Sequence, residues 1–88
     1  MRTVLSPKAE KKLKRISKLD QIALVRKIRS LKEKTALTKS EKLSGYHDIF
    51  RIRVGNYRMV YRKSTEEIYI ILIGHRKDIY HLLKQFVS

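Results

Sequence analysis

The sequence contains no cysteine and no tryptophan, only one proline and three glycines, and far fewer acidic residues than basic ones. Without cysteine the chain can have neither a disulfide scaffold nor a cysteine-based metal site. Eight acidic residues stand against 22 basic ones, which gives a formal net charge of +14. An excess of this size favours binding to nucleic acid or to an acidic protein partner.

The sequence also lacks a long hydrophobic run. The longest strongly apolar stretch covers residues 68–73, which is too short to span a bilayer. The first residues do not form the apolar stretch of a signal peptide, so the cytoplasm is the expected location. With 88 residues, of which 42% are hydrophobic and 34% charged, the chain is expected to form a single domain over residues 1–88.

The positive charge is distributed unevenly along the chain. Residues 1–44 contain 14 basic and 4 acidic residues, a net charge of +10, whereas residues 45–88 contain 8 and 4, a net charge of +4. The first part is rich in lysine, which suits diffuse attraction to a phosphate backbone. The second part is rich in arginine, which suits oriented contact with individual phosphates. We therefore expect a docking half and a half that carries the site.

The first half is predicted to contain a strand and two helices. Residues 1–5 form a plausible short strand, and Ser6 and Pro7 are typical of an N-cap and a first helical residue. Apolar residues at helical spacing continue this helix and predict a second one, with Asp20 as its candidate cap. The apolar stripe of the second helix consists of Leu24, Ile28 and Leu31. Residues 35–48 are expected to be a polar connector.

A β-hairpin is predicted over residues 49–63, because two alternating runs flank Gly55 and Asn56. A two-residue turn sets Val54 opposite Tyr57 and therefore Arg53 opposite Arg58. One face of the hairpin is then a core face, with Phe50, Ile52, Val54, Tyr57, Met59 and Tyr61. The other face carries Ile49, Arg51, Arg53, Arg58, Val60 and Arg62.

The second face of this hairpin sets like charges across a strand pair, an arrangement that is destabilising unless an anion binds there. A binding site for a polyanion is one interpretation. The other is an ordinary solvated sheet face, on which arginine stems cover apolar surface while the guanidinium groups stay in water.

A further strand is predicted over residues 68–74, which are apolar on both faces and therefore suit a covered position. Pairing Arg62 with Glu67 would place His75 on the arginine face, together with Tyr69, Ile71 and Ile73. Asp78 is the candidate cap of a short C-terminal helix. The resulting order β-α-α-β-β-β, followed by this helix, predicts an α+β fold in which an antiparallel sheet packs on a helical hairpin.

Three segments carry a family resemblance: KLSG at residues 42–45, FRIRVGNYRMVY at 50–61 and IGHRKDIY at 73–80. In this order they resemble the RelE/ParE superfamily of toxins from type II toxin–antitoxin modules. The resemblance implies a RelE-like, microbial-RNase-like fold over nearly the whole chain. RelE-like members are ribosome-dependent endoribonucleases that cut messenger RNA in the ribosomal A site, whereas ParE-like members inhibit DNA gyrase without nuclease activity.

The RelE pattern implies catalytic residues at matching positions of this sequence. Its basic residues fall on Arg51, Arg53, Arg58 and Arg76, and its tyrosine falls on Tyr80. Lysines are common at the first two of these positions, and arginine is a poor proton acceptor because it stays charged. His75 lies at a position where RelE-like members vary.

Cleavage of RNA without a metal needs a base for the 2′-hydroxyl, cations around the phosphorane and an acid for the leaving 5′-oxygen. The arginines supply the cations. For proton transfer the sequence offers His75 and Tyr80, and we hypothesise that Tyr80 positions or deprotonates the 2′-hydroxyl while His75 assists. No cofactor is expected, and His47 and His81 do not suggest a metal site.

Further basic residues are expected to bind RNA or the ribosome, although a solvated helix surface would look the same. They are Lys11, Lys12, Lys14, Arg15, Arg26, Lys27 and Arg62. The expected partners are 16S rRNA in the ribosome, messenger RNA and an antitoxin with an acidic contacting segment. A ParE-like gyrase inhibitor and a nucleic-acid-binding module without activity remain the alternatives.

Overall fold

The computed structural model describes residues 2–32, 40–43, 45 and 48–87. These residues form one five-stranded sheet, in the strand order β1-β5-β4-β3-β2, and three helices. The elements are β1 (Arg2–Leu5), α1 (Pro7–Arg15), α2 (Lys18–Leu31), β2 (Ser40–Lys42), β3 (Ile49–Val54), β4 (Tyr57–Lys63), β5 (Glu67–His75) and α3 (Ile79–Val87). The predicted α+β class is confirmed, and the predicted element order holds with one additional strand.

The additional strand is β2, which lies in the segment predicted as a polar connector. Its three residues pair antiparallel with β3 at the edge of the sheet. The hydroxyls of Ser40 and Tyr61 lie 2.5 Å apart and tie β2 to β4. Burial raises the pKa of Tyr61, an effect that this hydrogen bond partly offsets. The rest of the connector, including His47, lies outside the described residues.

The sheet is mixed, whereas the sequence predicted an antiparallel one. At the other edge, β1 runs parallel to β5, with Arg2 opposite Glu67 and Leu5 opposite Ile70. All remaining strand pairs are antiparallel. A parallel neighbour needs a long crossover connection, and the chain makes it between β1 and β5 through all the intervening elements.

The first two helices begin at serine caps. The hydroxyl of Ser6 accepts a hydrogen bond from the Ala9 amide, and Pro7 follows at the first helical position, as predicted. The prediction that Asp20 caps α2 is wrong, because Ser17 is the cap and its hydroxyl accepts from the Asp20 amide. Asp20 lies in the first turn and accepts a hydrogen bond from Ser17. None of the described helices is long and apolar enough to cross a membrane.

The β3–β4 hairpin has the predicted register throughout. Val54 pairs with Tyr57, and Arg53 pairs with Arg58. Gly55 has a φ of 60°, while no other residue of this turn has a positive φ. A positive φ at the first central position only is the pattern of a type II′ turn, and it explains the glycine at this position.

The predicted register between β4 and β5 is wrong. Arg62 pairs with Tyr69 instead of Glu67, and the ladder is irregular between Val60 and Tyr61, whose partners are Leu72 and Ile70. Ile71 is therefore an extra residue in β5, and every side chain beyond it lies on the opposite face from the one predicted. The sequence could not indicate this bulge, because residues on both sides of it are equally apolar.

The two faces of the sheet are covered by different helices. On one face, α1 and α2 contribute Ala9, Leu24, Ile28 and Leu31 to a core with Ile52, Val54, Met59, Tyr61, Ile68, Ile70 and Ile73. On the other face, Ile79 of α3 packs in a smaller core with Ile49, Val60, Ile71 and Leu72. The molecule thus has three layers, and the arginine face of the hairpin shares its side of the sheet with α3.

The two serine caps provide a matched test of the helix–sheet connection. Ser6 is buried and its hydroxyl also donates a hydrogen bond of 2.7 Å to the Ile71 carbonyl, whereas Ser17 is exposed. We predict that Ser6→Ala lowers the free energy of unfolding by about 2 kcal/mol, because it also leaves buried groups unsatisfied. Ser17→Ala should lower it by only about 1 kcal/mol. Urea unfolding measures both, and equal losses would contradict the prediction.

Candidate functional site

A cavity of about 240 Å³ opens on the arginine face of the sheet. The residues that line it come from β2, β3, β4 and α3: Glu41, Arg51, Arg53, Arg58 and Tyr80. Four residues predicted as catalytic are therefore brought together here. The three guanidinium groups outnumber the single carboxylate, so the cavity favours an anion.

Arg51 lies at the centre of the interactions in this cavity. One guanidinium nitrogen, Nη1, donates a 2.7 Å hydrogen bond to the Tyr80 hydroxyl, and the other, Nη2, donates a 2.5 Å bond to Glu41 Oε2. The guanidinium carbon also lies 5.4 Å from the centre of the Tyr80 ring, within the range of a cation–π contact. Arg51 thus joins the edge strand β2 to helix α3.

The hydrogen bond with Glu41 raises the pKa of Arg51 above its ordinary value, and the charges of Tyr80 and Glu41 act in the same direction. Partial burial of the guanidinium opposes these effects. Arg51 is therefore a permanent cation, which can bind an anion but cannot exchange a proton during a reaction near neutral pH.

Arg53 and Arg58 face each other across the β3–β4 ladder. Arg58 is half-buried, and its guanidinium donates hydrogen bonds of 3.2 Å and 3.0 Å to the carbonyls of Gly55 and Tyr57. Arg53 is exposed, and it has no hydrogen bond or ion pair within the described part of the chain. No acidic residue of the described ranges forms an ion pair with Arg53 or Arg58, so an incoming anion can bind them without displacing one.

Helix α3 reaches the site because Gly74 allows it to approach the sheet closely. A Cβ atom on Gly74 would lie 2.9 Å from Leu82 Cδ1 and 3.2 Å from Ile79 Cδ1. The helix begins after Asp78, the predicted cap, whose backbone carbonyl accepts a hydrogen bond from the Leu82 amide. Tyr80 follows on the first turn and stays 55% exposed, with its hydroxyl directed to Arg51.

The other two residues predicted as catalytic do not line this cavity. His75 pairs with Tyr57, and their rings meet edge to face at 5.8 Å. The bulge moves the side chains that follow it in β5 to the opposite face of the sheet. His75 therefore lies on the face covered by α1 and α2, and its predicted position beside the arginines is wrong. Arg76 is exposed next to the hairpin turn, where its amide donates a 2.7 Å bond to the Asn56 carbonyl.

The residues predicted to bind RNA or the ribosome fall into separate groups. Lys11, Lys12 and Arg15 lie on one side of α1 and line a second cavity. Lys14 makes an ion pair of 3.1 Å with Glu10. Arg62 pairs with Asp48 at 3.4 Å on the far end of β4. The last two residues, on α2, are the exposed Arg26 and the half-buried Lys27.

Sequence analysis missed Glu41 as a site residue. It pairs directly with Arg51 across the β2–β3 ladder, so the two side chains share a face. The three polar residues of β2 gave no alternation from which a strand could be predicted, and without the strand Glu41 had no assigned position.

The described residues contain no cluster of three or more potential metal ligands of the histidine, cysteine or carboxylate type. The site therefore offers cations, one carboxylate and one phenolic hydroxyl, a set suited to binding an anion and moving a proton.

Comparison with known proteins agrees with this fold. A curated relative, Toxin RelE3 of Methanocaldococcus jannaschii, is 45% identical over 40 residues, which are 46% of each chain. The chain thus aligns with less than half the length of that relative. The RelB-RelE antitoxin-toxin complex from Methanococcus jannaschii contains a similar structure, with a TM-score of 0.74 and 26% identity over 90% of this chain and 96% of that one. The isolated E. coli RelE toxin has a TM-score of 0.67 at 20% identity, over 98% and 97% of the two chains, and supports the fold alone.

The family itself is shown by a sequence match that covers most of the chain. The model of the ParE toxin of the type II toxin-antitoxin system parDE matches residues 3–80. This range runs from the second residue of β1 to the second residue of α3, and it includes every residue that lines the arginine cavity. The chain belongs to the ParE toxin family of type II toxin–antitoxin systems, within the RelE/ParE superfamily.

Proposed function

We propose that this toxin is an endoribonuclease that cleaves messenger RNA in the ribosomal A site without a metal. The observation that carries the proposal is the convergence of three arginines, a carboxylate and a tyrosine hydroxyl on one cavity of about 240 Å³. In the reaction, the ribose 2′-oxygen attacks the adjacent phosphorus and the bond to the 5′-oxygen breaks. The products are a 2′,3′-cyclic phosphate and a free 5′-hydroxyl.

The arginines supply the electrostatic part of this reaction. Negative charge builds up on the phosphate oxygens as the pentavalent phosphorane forms, and fixed cations stabilise it more strongly than the starting diester. Arg53 and Arg58 have no acidic partner in the part of the chain that the structure describes, and Arg51 can change partner from Glu41 to a phosphate oxygen. A guanidinium can bind two phosphate oxygens at once and so also orients the phosphate.

Glu41 is the proposed proton acceptor for the 2′-hydroxyl. Among the described residues it is the only carboxylate that lines the cavity, and its side chain is 73% exposed to solvent. When a phosphate binds Arg51, the carboxylate loses its hydrogen-bond donor and becomes a better base. This assignment replaces the base role hypothesised for Tyr80 from sequence, because a carboxylate accepts a proton more readily than a phenol.

Tyr80 is then the proposed donor of a proton to the leaving 5′-oxygen. Its hydroxyl accepts the hydrogen bond from Arg51, so its own proton is not used in that bond and is available to the leaving oxygen. His75 has no part in this scheme. Arg76, near the hairpin turn, remains a candidate for contact with RNA outside the cavity.

Partners and location follow from the same proposal. The toxin would act in the cytoplasm on ribosome-bound messenger RNA, with Lys14, Arg26, Lys27 and Arg62 among the residues that contact 16S rRNA. An antitoxin with an acidic contacting segment would hold it inactive. Support for the antitoxin comes from structural neighbours that are RelB-RelE antitoxin-toxin complexes, and from the net charge of +14.

Inhibition of DNA gyrase is the second candidate function, because the matching family model is named for ParE toxins. Primer extension on messenger RNA, with and without programmed ribosomes, separates the two. New 3′ ends that appear only with ribosomes are the expected result. No cleavage in either mixture, together with loss of gyrase supercoiling, would overturn the nuclease proposal.

We predict opposite effects of Glu41→Gln on binding and on cleavage. The variant frees Arg51, so affinity for an RNA whose riboses are all 2′-O-methylated should rise by roughly threefold. Cleavage of normal messenger RNA should fall about 100-fold, because the proton acceptor is lost. Fluorescence anisotropy and primer extension measure the two effects. Glu66→Gln makes the same charge change at an exposed position in the turn between β4 and β5 and should alter neither. An active Glu41→Gln enzyme would exclude the base role.

A second pair of variants tests whether the Tyr80 hydroxyl or the His75 imidazole transfers the proton. Tyr80→Phe keeps the ring over Arg51 but removes the hydroxyl, and should slow cleavage by about 100-fold. His75 lies on the other face of the sheet, so the cleavage rate of His75→Gln should stay within about twofold of the parent rate. Single-turnover primer extension on programmed ribosomes gives both rates. The reverse order of effects would restore the catalytic role predicted for His75.

A further inference from the structure

A small cavity, of about 200 Å³, lies at the end of β4 and β5 that is remote from the β3–β4 turn. The described residues that line it are Arg62, Ser64, Glu67 and Tyr69, and none of them lines the arginine cavity. We call it the Tyr69 cavity. Its volume is below the roughly 300 Å³ at which pockets for small molecules usually begin, so it suits a single planar ring system.

The Tyr69 cavity lies on the same side of the sheet as the arginine cavity. Arg62 pairs with Ile49 on one side and with Tyr69 on the other, and Ile49 belongs to the core under α3. Tyr69 packs against that core, and Glu67, two residues earlier in β5, shares its face. The face of β4 that carries Arg58 thus continues to Arg62, about 14 Å farther along the strand.

The core under α3 lies between the two cavities. Val60, midway between Arg58 and Arg62 on this face of β4, is fully buried in it. The helix sequence Ile79–Val87 contains no acidic residue. The exposed side chains described on α3 are those of Tyr80, His81, Lys84 and Gln85. An RNA strand that leaves the arginine cavity can therefore cross α3 without meeting a carboxylate that repels its phosphates.

Tyr69 gives the cavity an aromatic wall. It is half-buried, because it packs against the core under α3 while part of the ring faces the cavity. Its hydroxyl makes no hydrogen bond within the described part of the chain. Bases of single-stranded RNA stack on aromatic side chains of this kind, and each stacked base adds to affinity.

Arg62 and Glu67 offer a ligand opposite hydrogen-bonding groups. Arg62 contacts Asp48 through Nε, at 3.4 Å, so its two Nη nitrogens can donate to a ligand. Glu67 accepts from Arg2 through Oε1, at 3.0 Å, so Oε2 can accept a further bond. The hydroxyl of Ser64 accepts a 3.1 Å bond from the Glu67 amide and holds the turn that carries this carboxylate.

Guanine is the base that matches this pair of groups. Its N7 and O6 accept two bonds from a guanidinium, while its N1–H and N2 amino group donate to a carboxylate. Adenine has a donor at N6 where guanine has O6, and it has no proton on N1. A carboxylate repels the RNA backbone, so Glu67 favours contact with a base over contact with a phosphate.

We propose that the Tyr69 cavity binds a guanine base of the messenger RNA, in the part of the strand that flanks the nucleotides in the arginine cavity. Tyr69 stacks on the base, Arg62 donates to N7 and O6, and Glu67 accepts from N1–H and the N2 amino group. This inference rests on the proposed messenger-RNA substrate. It refines the role of Arg62 from contact with 16S rRNA to contact with the messenger RNA.

The test measures base preference on RNA that cannot be cleaved. The probes are short, fully 2′-O-methylated oligouridines with one central guanine, adenine or inosine, and fluorescence anisotropy follows their binding to the full chain without ribosomes. The guanine probe should bind roughly tenfold more tightly than the adenine probe. Inosine lacks the N2 amino group, so its probe should bind about fivefold more weakly than the guanine probe.

Two pairs of variants locate this preference in the cavity. In Glu67→Gln the guanine and inosine probes should bind within about twofold of each other, because the acceptor for the N2 amino group is weakened. Glu66→Gln makes the same charge change in the same turn, outside the cavity, and should keep the full preference. Tyr69→Leu should weaken binding of the guanine probe about tenfold, whereas Tyr69→Phe keeps the stacking ring and the parent affinity.

Three results would overturn the proposal: equal affinities of the parent protein for all probes, an unchanged guanine preference in Glu67→Gln, or the same loss in Glu66→Gln. The second would leave Glu67 only its ion pair with Arg2. Because no cleavage is measured, the two proposals fail separately. Ribosome-dependent cleavage without a base preference rejects the cavity alone, and a guanine preference without cleavage in primer extension rejects the nuclease alone.

Discussion

The site depends on one constraint: the β3–β4 hairpin must pack one face against the core, and this forces Arg53 and Arg58 to face each other on the other face. Ile52 and Met59 are 2% and 0% exposed on the buried face. A slip of one residue would bring the arginines into the core and the apolar residues into solvent, so the register cannot relax to separate the charges. Burial on one side of the hairpin thus holds cations together on the other.

The rest of the molecule completes this arrangement from two directions. At the edge of the sheet, β2 brings Glu41 opposite Arg51, and Ser40 secures β2 through Tyr61. Above the sheet, the missing side chain of Gly74 lets α3 pack closely enough for Tyr80 to reach Arg51. Arg51, on β3, therefore connects β2 and α3, and an anion that binds it would affect the hydrogen bonds to Glu41 and Tyr80 at once.

Sequence predicted what strong local patterns determine. The alternation around Gly55 and Asn56 was sufficient for the register of the hairpin and for the arginine face. Prediction from the sequence failed where the local pattern was weak or where a single extra residue shifted the pattern. Three polar residues did not indicate β2, so Glu41 was missed. The bulge at Ile71 lies in an apolar run without any mark in the sequence, and it moved His75 to the opposite face.

The uneven distribution of lysine and arginine along the chain can be compared with the positions of the arginine cavity and of the cavity beside α1. The lysine-rich half was expected to dock and the arginine-rich half to carry the site. The arginine cavity agrees with the second expectation in position, because β3 and β4 supply its three cations. On α1, the basic residues Lys8, Lys11, Lys12 and Arg15 line a second cavity, together with the apolar residues Leu72, Ile73 and Leu82.

The most direct test of the central claim is to measure stability and cleavage together in Arg53→Ala. If Arg53 and Arg58 are held together to bind phosphate, removing one charge should raise the free energy of unfolding by a few tenths of a kcal/mol, about the size of a cross-strand like-charge repulsion. Ribosome-dependent cleavage should fall at the same time. A less stable protein that still cleaves at the parent rate would contradict the account, because the arginine pair would then be structural.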